Sequence, residues 1–73
     1  MTENTELRQY ELHDADSESR LVCWLENDSR LRVGVRVTLK GLDGNWIVRR
    51  VYKTLRTASD VFATRHWKVG GLT

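Results

Sequence analysis

Proline does not occur in this chain of 73 residues, cysteine occurs once, and nowhere do apolar residues continue long enough to cross a bilayer as a helix. The single Cys23 excludes an intramolecular disulfide, which fits a reducing compartment. No basic stretch followed by an apolar run opens the chain, so the expected location is cytoplasmic, without a membrane partner. No low-complexity stretch or internal repeat divides the sequence, and residues 1–73 are read as one domain. A domain this short sits near the lower limit at which burial offsets chain entropy. Its three tryptophans, two tyrosines and one phenylalanine are therefore core material first and binding groups second.

Chemistry-bearing patterns are as scarce as proline. The chain has no Gly-x-Ser-x-Gly, no phosphate-cradling loop and no dinucleotide fingerprint. His13, Cys23 and His66 are its soft metal ligands, and their wide spacing matches no zinc signature; Cys23 lies in an apolar run, as a buried thiol does. His66 has no carboxylate or nucleophile at a supporting distance along the chain, which makes it a surface histidine. Asp14-Ala15-Asp16-Ser17-Glu18 lacks the glycine and the distal glutamate of a calcium loop and reads as a charged turn. The expectation is a protein without catalysis, metal or cofactor.

Acidic residues are nearly missing from one part of the chain. Residues 30–73 carry ten lysines and arginines against Asp43 and Asp60, a net +8, whereas residues 1–29 carry eight acids against Arg8 and Arg20, a net −6. The formal charge of +2 hides this polarity. A split of this size suits a basic surface meant for an acidic partner, or a basic face that folds against an acidic one. The acidic segment 1–19, read as partly flexible, is expected near the basic strands, screening them. Arginines outnumber lysines nine to three, which favours bidentate recognition of phosphate or carboxylate, although a GC-rich coding sequence produces the same bias.

What is present is mostly strand pattern. From Arg30 to Lys40 the odd positions are apolar and the even ones polar or glycine, the period of a strand with one buried face. Leu31, Val33, Val35, Val37 and Leu39 are expected inside. Gly34 interrupts the run, so pairing should begin near Val35. Asp43-Gly44 lies between this run and Trp46-Ile47-Val48, and Asp-Gly between two strand patterns predicts a hairpin turn. In that register Leu42 faces Asn45, and the Trp46 ring covers Gly41. Strict alternation would then bury Arg50, so a β-bulge is predicted at Arg49-Arg50 to return Val51 to the core, with the strand ending over Tyr52-Lys53-Thr54.

The run Arg20–Glu26 is apolar almost throughout and predicts a strand buried on both faces or packed at a barrel seam. Glu6 to Leu12 fits either a first strand joined through the loop His13–Ser19 or a helical turn, and 27–29 is a turn. Ser59 or Asp60 is placed to cap a short helix through Val61, Phe62 and Ala63. His66–Val69 alternates again as a closing strand with Trp67 and Val69 inside, ended by Gly70-Gly71. Four to five short strands and at most one helical turn suggest a mainly β protein, a bent antiparallel sheet closed into a small barrel.

Arg32-Val33-Gly34-Val35-Arg36-Val37-Thr38-Leu39-Lys40-Gly41 followed by Asp43-Gly44-Asn45-Trp46-Ile47-Val48-Arg49-Arg50-Val51 resembles the central hairpin of SH3-like small barrels, the group that includes KOW and Tudor-type modules. There a glycine precedes a Val-x-Val strand, a glycine turn follows, and a Val-x-x-Val step, here Val48 to Val51, marks the next strand. The closing Trp67-Lys68-Val69-Gly70-Gly71 is similar to the ends of small proteins of actinobacterial phages. The resemblance implies a binding module, in a host cytoplasm if phage-encoded, and KOW-like modules often bind RNA or ribosomal and polymerase components.

The foremost candidate site follows from charge. Arg30, Arg32, Arg36 and Lys40 on one strand and Arg49, Arg50 and Lys53 on its neighbour would form a patch able to neutralise several phosphates. The same residues serve equally as a solvated face. Arg32, Arg36, Lys40, Arg49, Arg50 and Lys53 are the expected nucleic-acid contacts, and a host or viral protein with an acidic surface is the alternative partner. No stacking pair of exposed aromatics stands out in the sequence. An exposed Trp24 or Tyr52 would favour the protein partner.

Overall fold

Alternation along the chain becomes five antiparallel strands in a single sheet. The computed structural model describes residues 5–61 and 65–72. Strands β1 (Glu6–Asp14), β2 (Arg20–Glu26), β3 (Arg36–Leu39), β4 (Leu42–Thr57) and β5 (Val69–Leu72) pair in the order β2-β1-β4-β3-β5. A 3-10 turn, Ala58–Asp60, follows β4. Phe62 and Ala63 of the expected helix lie outside the described residues.

Glu6 to Leu12 adopts the strand alternative rather than the helical turn, and the strand continues to Asp14. It runs between β2 and β4, so residues 6–14 of the acidic segment form an interior strand of the sheet. Tyr10 and Leu12 are fully buried between Cys23 and Leu21 on one side and Val51 and Val48 on the other. The tip joining β1 to β2 is tied down locally: Asp14 accepts from the Asp16 amide (3.0 Å) and the Ser17 hydroxyl (3.2 Å), and its own amide donates to the Ser19 carbonyl (3.0 Å).

β2 differs from expectation. It is an edge strand with one buried face, Cys23 and Leu25, while Val22 is 45 % exposed and Trp24 half-buried. Its apolar run does not signal burial on both sides. The intervening positions carry Val22 and Trp24 on the second face of the sheet.

The largest correction concerns the central hairpin. The turn lies at Lys40-Gly41, with Leu39 opposite Leu42 and Val37 opposite Trp46, so Asp43-Gly44 falls inside β4. Packing explains the slip. A turn at Asp43-Gly44 would pair Val37 with Arg50, whereas the observed register pairs two residues that are both buried, Val37 and Trp46. Gly41 has φ +85°, the sign a type II turn needs at that position. Gly44 also takes a positive φ, +120°, and a Cβ there would meet the indole Nε1 of Trp46 at 3.2 Å. The Trp46 ring therefore covers Gly44, and the nearest side chain to Gly41 is Trp67.

The predicted bulge is present. Leu12 pairs with Val48 and Glu11 with Arg50, leaving Arg49 as the extra residue. Arg49 and Arg50 stay exposed while Val48 is fully buried and Val51 packs against the core, so the backbone distortion avoids burying a guanidinium. A second irregularity between Arg8 and Tyr10 takes up two further residues of β4, which runs past Thr54 to Thr57.

Before β3 the alternation fails at Val33, which is 65 % exposed in a turn, while Leu31, Val37 and Leu39 are buried and Val35 is half-buried. Gly34, φ +96°, donates to the Val48 carbonyl (2.8 Å), and Val48 in turn donates to Val35 (2.9 Å). Those two bonds anchor the lead-in to β3.

The last strand is shifted as well. β5 spans Val69–Leu72 and contains Gly70-Gly71 instead of stopping there. A Cβ at either glycine would sit 3.3 Å from the Thr38 hydroxyl, so the absence of side chains is what allows β5 close to β3. Trp67 and Val69 are partly buried against the core, and His66 forms an isolated parallel bridge with Trp24, reinforced by the Trp67 amide on the Trp24 carbonyl (3.1 Å). This bridge links the two ends of the sheet at one point, and the expected closure into a barrel is not reached, because the sheet stays open between β2 and β5.

Candidate functional site

Two faces of the sheet divide the side chains by chemistry. One carries the core, in which Tyr10, Leu12, Cys23, Leu25, Leu31, Val37, Leu39, Trp46 and Val48 pack together. On the other, register places Arg20 of β2, His13 of β1, Ile47 of β4 and Arg36 of β3 in one row, and Val22, Glu11 and Arg50 in the next. Three of the expected contacts, Arg36, Arg49 and Arg50, are exposed and lie within a few positions of one another. Arg49 is two residues beyond Ile47, the partner of Arg36, and so sits diagonally from it, about 7–8 Å away for such a pair.

The remaining expected contacts are spread out. Arg32 is exposed in the turn whose Gly34 bonds to Val48, beside Arg49 in sequence. Lys40 is at the tip of the β3–β4 turn and Lys53 is far along β4, so the two stand toward opposite ends of the long strand. The slip in register causes this, because Arg50 faces Glu11 of β1 rather than a residue of β3. Arg30 is withdrawn altogether. Its guanidinium donates to Asp28 through Nε (3.1 and 3.2 Å) and a terminal nitrogen (2.7 Å). Among the described residues the ion pairs are Arg30–Asp28 and His13–Glu11, and none of Arg32, Arg36, Lys40, Arg49, Arg50 or Lys53 takes part in either.

Hydrogen bonds set the acid–base state of the neighbouring groups. The Arg30 side chain, and then its amide, hold the Asp28 carboxyl at about 2. A depressed folded-state value means that the pair stabilises the fold at pH values above the ordinary aspartate range and ceases to do so as pH falls through about 2. The unfolding midpoint in urea should drop across the window from about pH 4 to about pH 2, and Asp28→Asn should flatten that part of the curve. Glu11 is lowered mainly by its hydrogen bond with His13 (2.8 Å), with Arg20 and Arg50 adding smaller effects, so its carboxylate is ionised opposite Arg50. Burial pushes the Cys23 thiol up to about 12, the state of an inert core sulfur.

Sequence reasoning left Arg20 out of this outer face and weighed Trp24 and Tyr52 only as anchors for a protein partner. The signal for Arg20 and Trp24 was the alternation of Arg20-Leu21-Val22-Cys23-Trp24-Leu25, masked because both sets of positions are largely apolar. Trp24 and Tyr52 are half-buried, yet neither packs against the core cluster, and the Arg50 guanidinium lies 5.0 Å from the centroid of the Tyr52 ring.

A cleft of about 850 Å³ opens between Trp67–Leu72 and the β2–β3 connection, along the gap where the sheet does not close. Its lining mixes Lys40 and Lys68 with Glu26 and Asp28, so it concentrates neither sign of charge. Among the described residues no group of three or more His, Cys, Asp or Glu side chains is placed to hold a metal, and no helix is long and apolar enough to cross a membrane. No protein-family model, curated protein or solved structure matches the chain.

Proposed function

We propose that this protein is an SH3-like small barrel acting as a non-enzymatic binding module, an accessory protein of phage type that contacts nucleic acid or another polyanion through the basic face formed by β3 and β4. Arg36, Arg49 and Arg50 form the centre of that face, with Arg32 beside it and Lys40 and Lys53 extending it toward either end. The observation that carries the reading is the exposure of these cations outside both side-chain pairs, with Arg36, Arg49, Arg50 and Lys53 on strands that also carry the core and Arg32 and Lys40 in the turns that flank β3. Free guanidinium groups on a rigid sheet neutralise phosphates without first breaking an internal pair. The bulge at Arg49 supports it further, since it keeps two adjacent arginines in solvent where plain alternation would turn one inward.

A second reading, a protein partner with an acidic surface, draws support from Val22, at 45 % exposure, and from half-buried Trp24 and Tyr52. Salt separates the two. Fluorescence anisotropy of labelled duplex DNA, RNA and heparin, titrated at rising KCl, should give affinities that fall linearly on a log–log plot, for duplex DNA with a slope of about −0.9 per phosphate contacted and largely regardless of base sequence. Absence of binding to every polyanion at low salt overturns the first reading and leaves the second.

A further inference from the structure

Cross-strand register creates an arrangement that the linear order of residues conceals. On the face opposite the core, Trp24 of β2 stands across from Gln9 of β1, and Val22 across from Glu11, which faces Arg50 on its other side. Tyr52 is two residues beyond Arg50 on β4, with the guanidinium held against its ring. Trp24 and Tyr52 therefore rise from the outer two of three adjacent strands, about 10 Å apart at the normal strand spacing. That distance is about three nucleotides of a stacked strand, and fewer when the strand is stretched. Arg20, Arg36 and Arg50 lie around the same face, in the two rows beyond Trp24.

We propose that this face of β2, β1 and β4 is a stacking platform for single-stranded nucleic acid, in which Tyr52 and Trp24 take bases while Arg20, Arg36 and Arg50 take phosphates. The inference rests on the polyanion reading above and specifies its ligand. Both aromatics are partly solvent-accessible and neither belongs to the core cluster, while fully buried Leu7 lies beyond them on the same side of β1. The Arg50–Tyr52 contact pre-orients one ring and adds a cation to the stack. Glu11 sits mid-platform, but His13 hydrogen-bonds it at 2.8 Å and Arg20 and Arg50 flank it, which leaves the centre close to neutral and the cations at the rim. A protein interface of this size would instead have an apolar centre and a polar rim, and here Gln9, Glu11 and His13 occupy the middle. Duplex DNA cannot present base faces to the rings, so it is confined to the arginines.

The test uses the full chain, with oligo-dT and a DNA hairpin of equal phosphate number as probes, read by anisotropy and by tryptophan emission. Oligo-dT should bind at least about tenfold tighter than the hairpin and quench tryptophan emission. Tyr52→Ala should weaken oligo-dT about ten- to hundredfold with an unchanged salt slope, whereas Tyr52→Phe should retain affinity, because stacking needs the ring and not the hydroxyl. Equal affinity for both probes, or a folded Tyr52→Ala that binds oligo-dT like the parent, overturns the platform while the broader polyanion reading stands. Failure of both probes to bind overturns the platform, and failure of RNA and heparin as well overturns the polyanion reading with it. If Tyr52→Ala does not fold, the parent protein decides: saturating oligo-dT that leaves tryptophan emission unchanged excludes stacking on Trp24.

Discussion

Replacing Arg36 and Arg49 together by glutamate should leave the protein folded and reduce its affinity for nucleic acid about a hundredfold at low salt, with the salt slope falling by about two. Both side chains are exposed, neither enters an ion pair, and Arg49 is the bulged residue with no direct partner on β1. The substitution therefore changes the surface potential and little else. Each lost phosphate contact removes about one released counterion, and reversing the charge adds repulsion to what is lost. Arg49 with Arg50 is the pair that the sequence suggests, but it makes a poorer test. Glutamate at position 50 would face Glu11 directly and would remove the cation from the Tyr52 ring, so loss of binding could follow from a weakened sheet. Circular dichroism and the thermal midpoint should match the parent protein. A folded double variant with parental affinity would remove the basic face from the mechanism.

Leu12→Ala should be the most damaging single truncation of an aliphatic side chain. Leu12 has no solvent exposure, lies on an interior strand and pairs with Leu21 on one side and Val48 on the other. Removing its branched end costs about 2–5 kcal/mol in transfer and cavity terms, and each kcal/mol lowers the midpoint of a domain this size by about 4–8 °C. A loss of at least about 10 °C is expected in a thermal melt. Leu55→Ala is the control, since Leu55 is 41 % exposed near the far end of β4 and should change the midpoint far less. Comparable losses for both variants would mean that the core is not centred on β1.

The two charged segments find their explanation in the order of strands. Of the acidic residues, Glu6, Glu11 and Asp14 lie on β1 and Glu26 on β2; of the basic ones, Arg36 lies on β3 and Arg49, Arg50, Lys53 and Arg56 on β4, and β1 pairs with β4 along most of its length. Glu11 opposite Arg50 is one point of direct complementarity. The charge division thus serves the fold as well as the surface. Part of the basic set faces its own chain, and the rest is exposed to solvent.

Much of the architecture could be read before any coordinates. A period-two run identified β3 because one side of a sheet must exclude water, and Gly34, Val48 and Val51 behave as expected; β1 was left between strand and helical turn, β2 was read from a continuous apolar run, and the last strand was placed three residues early. The bulge at Arg49 was also legible, since the alternative buries an unpaired guanidinium at far greater cost than a kink. Register was not. Asp43-Gly44 and Lys40-Gly41 both satisfy the local rules for a turn, and the choice between them depends on which residue meets Val37 across the hairpin. Trp46 does so because the two side chains fill the core together, and that is a property of the assembled sheet. The same applies to the outer face. Strand composition and the polarity of the two charged segments belong to the chain itself, whereas the meeting of Arg20, Trp24, Arg50 and Tyr52 comes from β1 lying between β2 and β4, an arrangement that only long-range pairing decides.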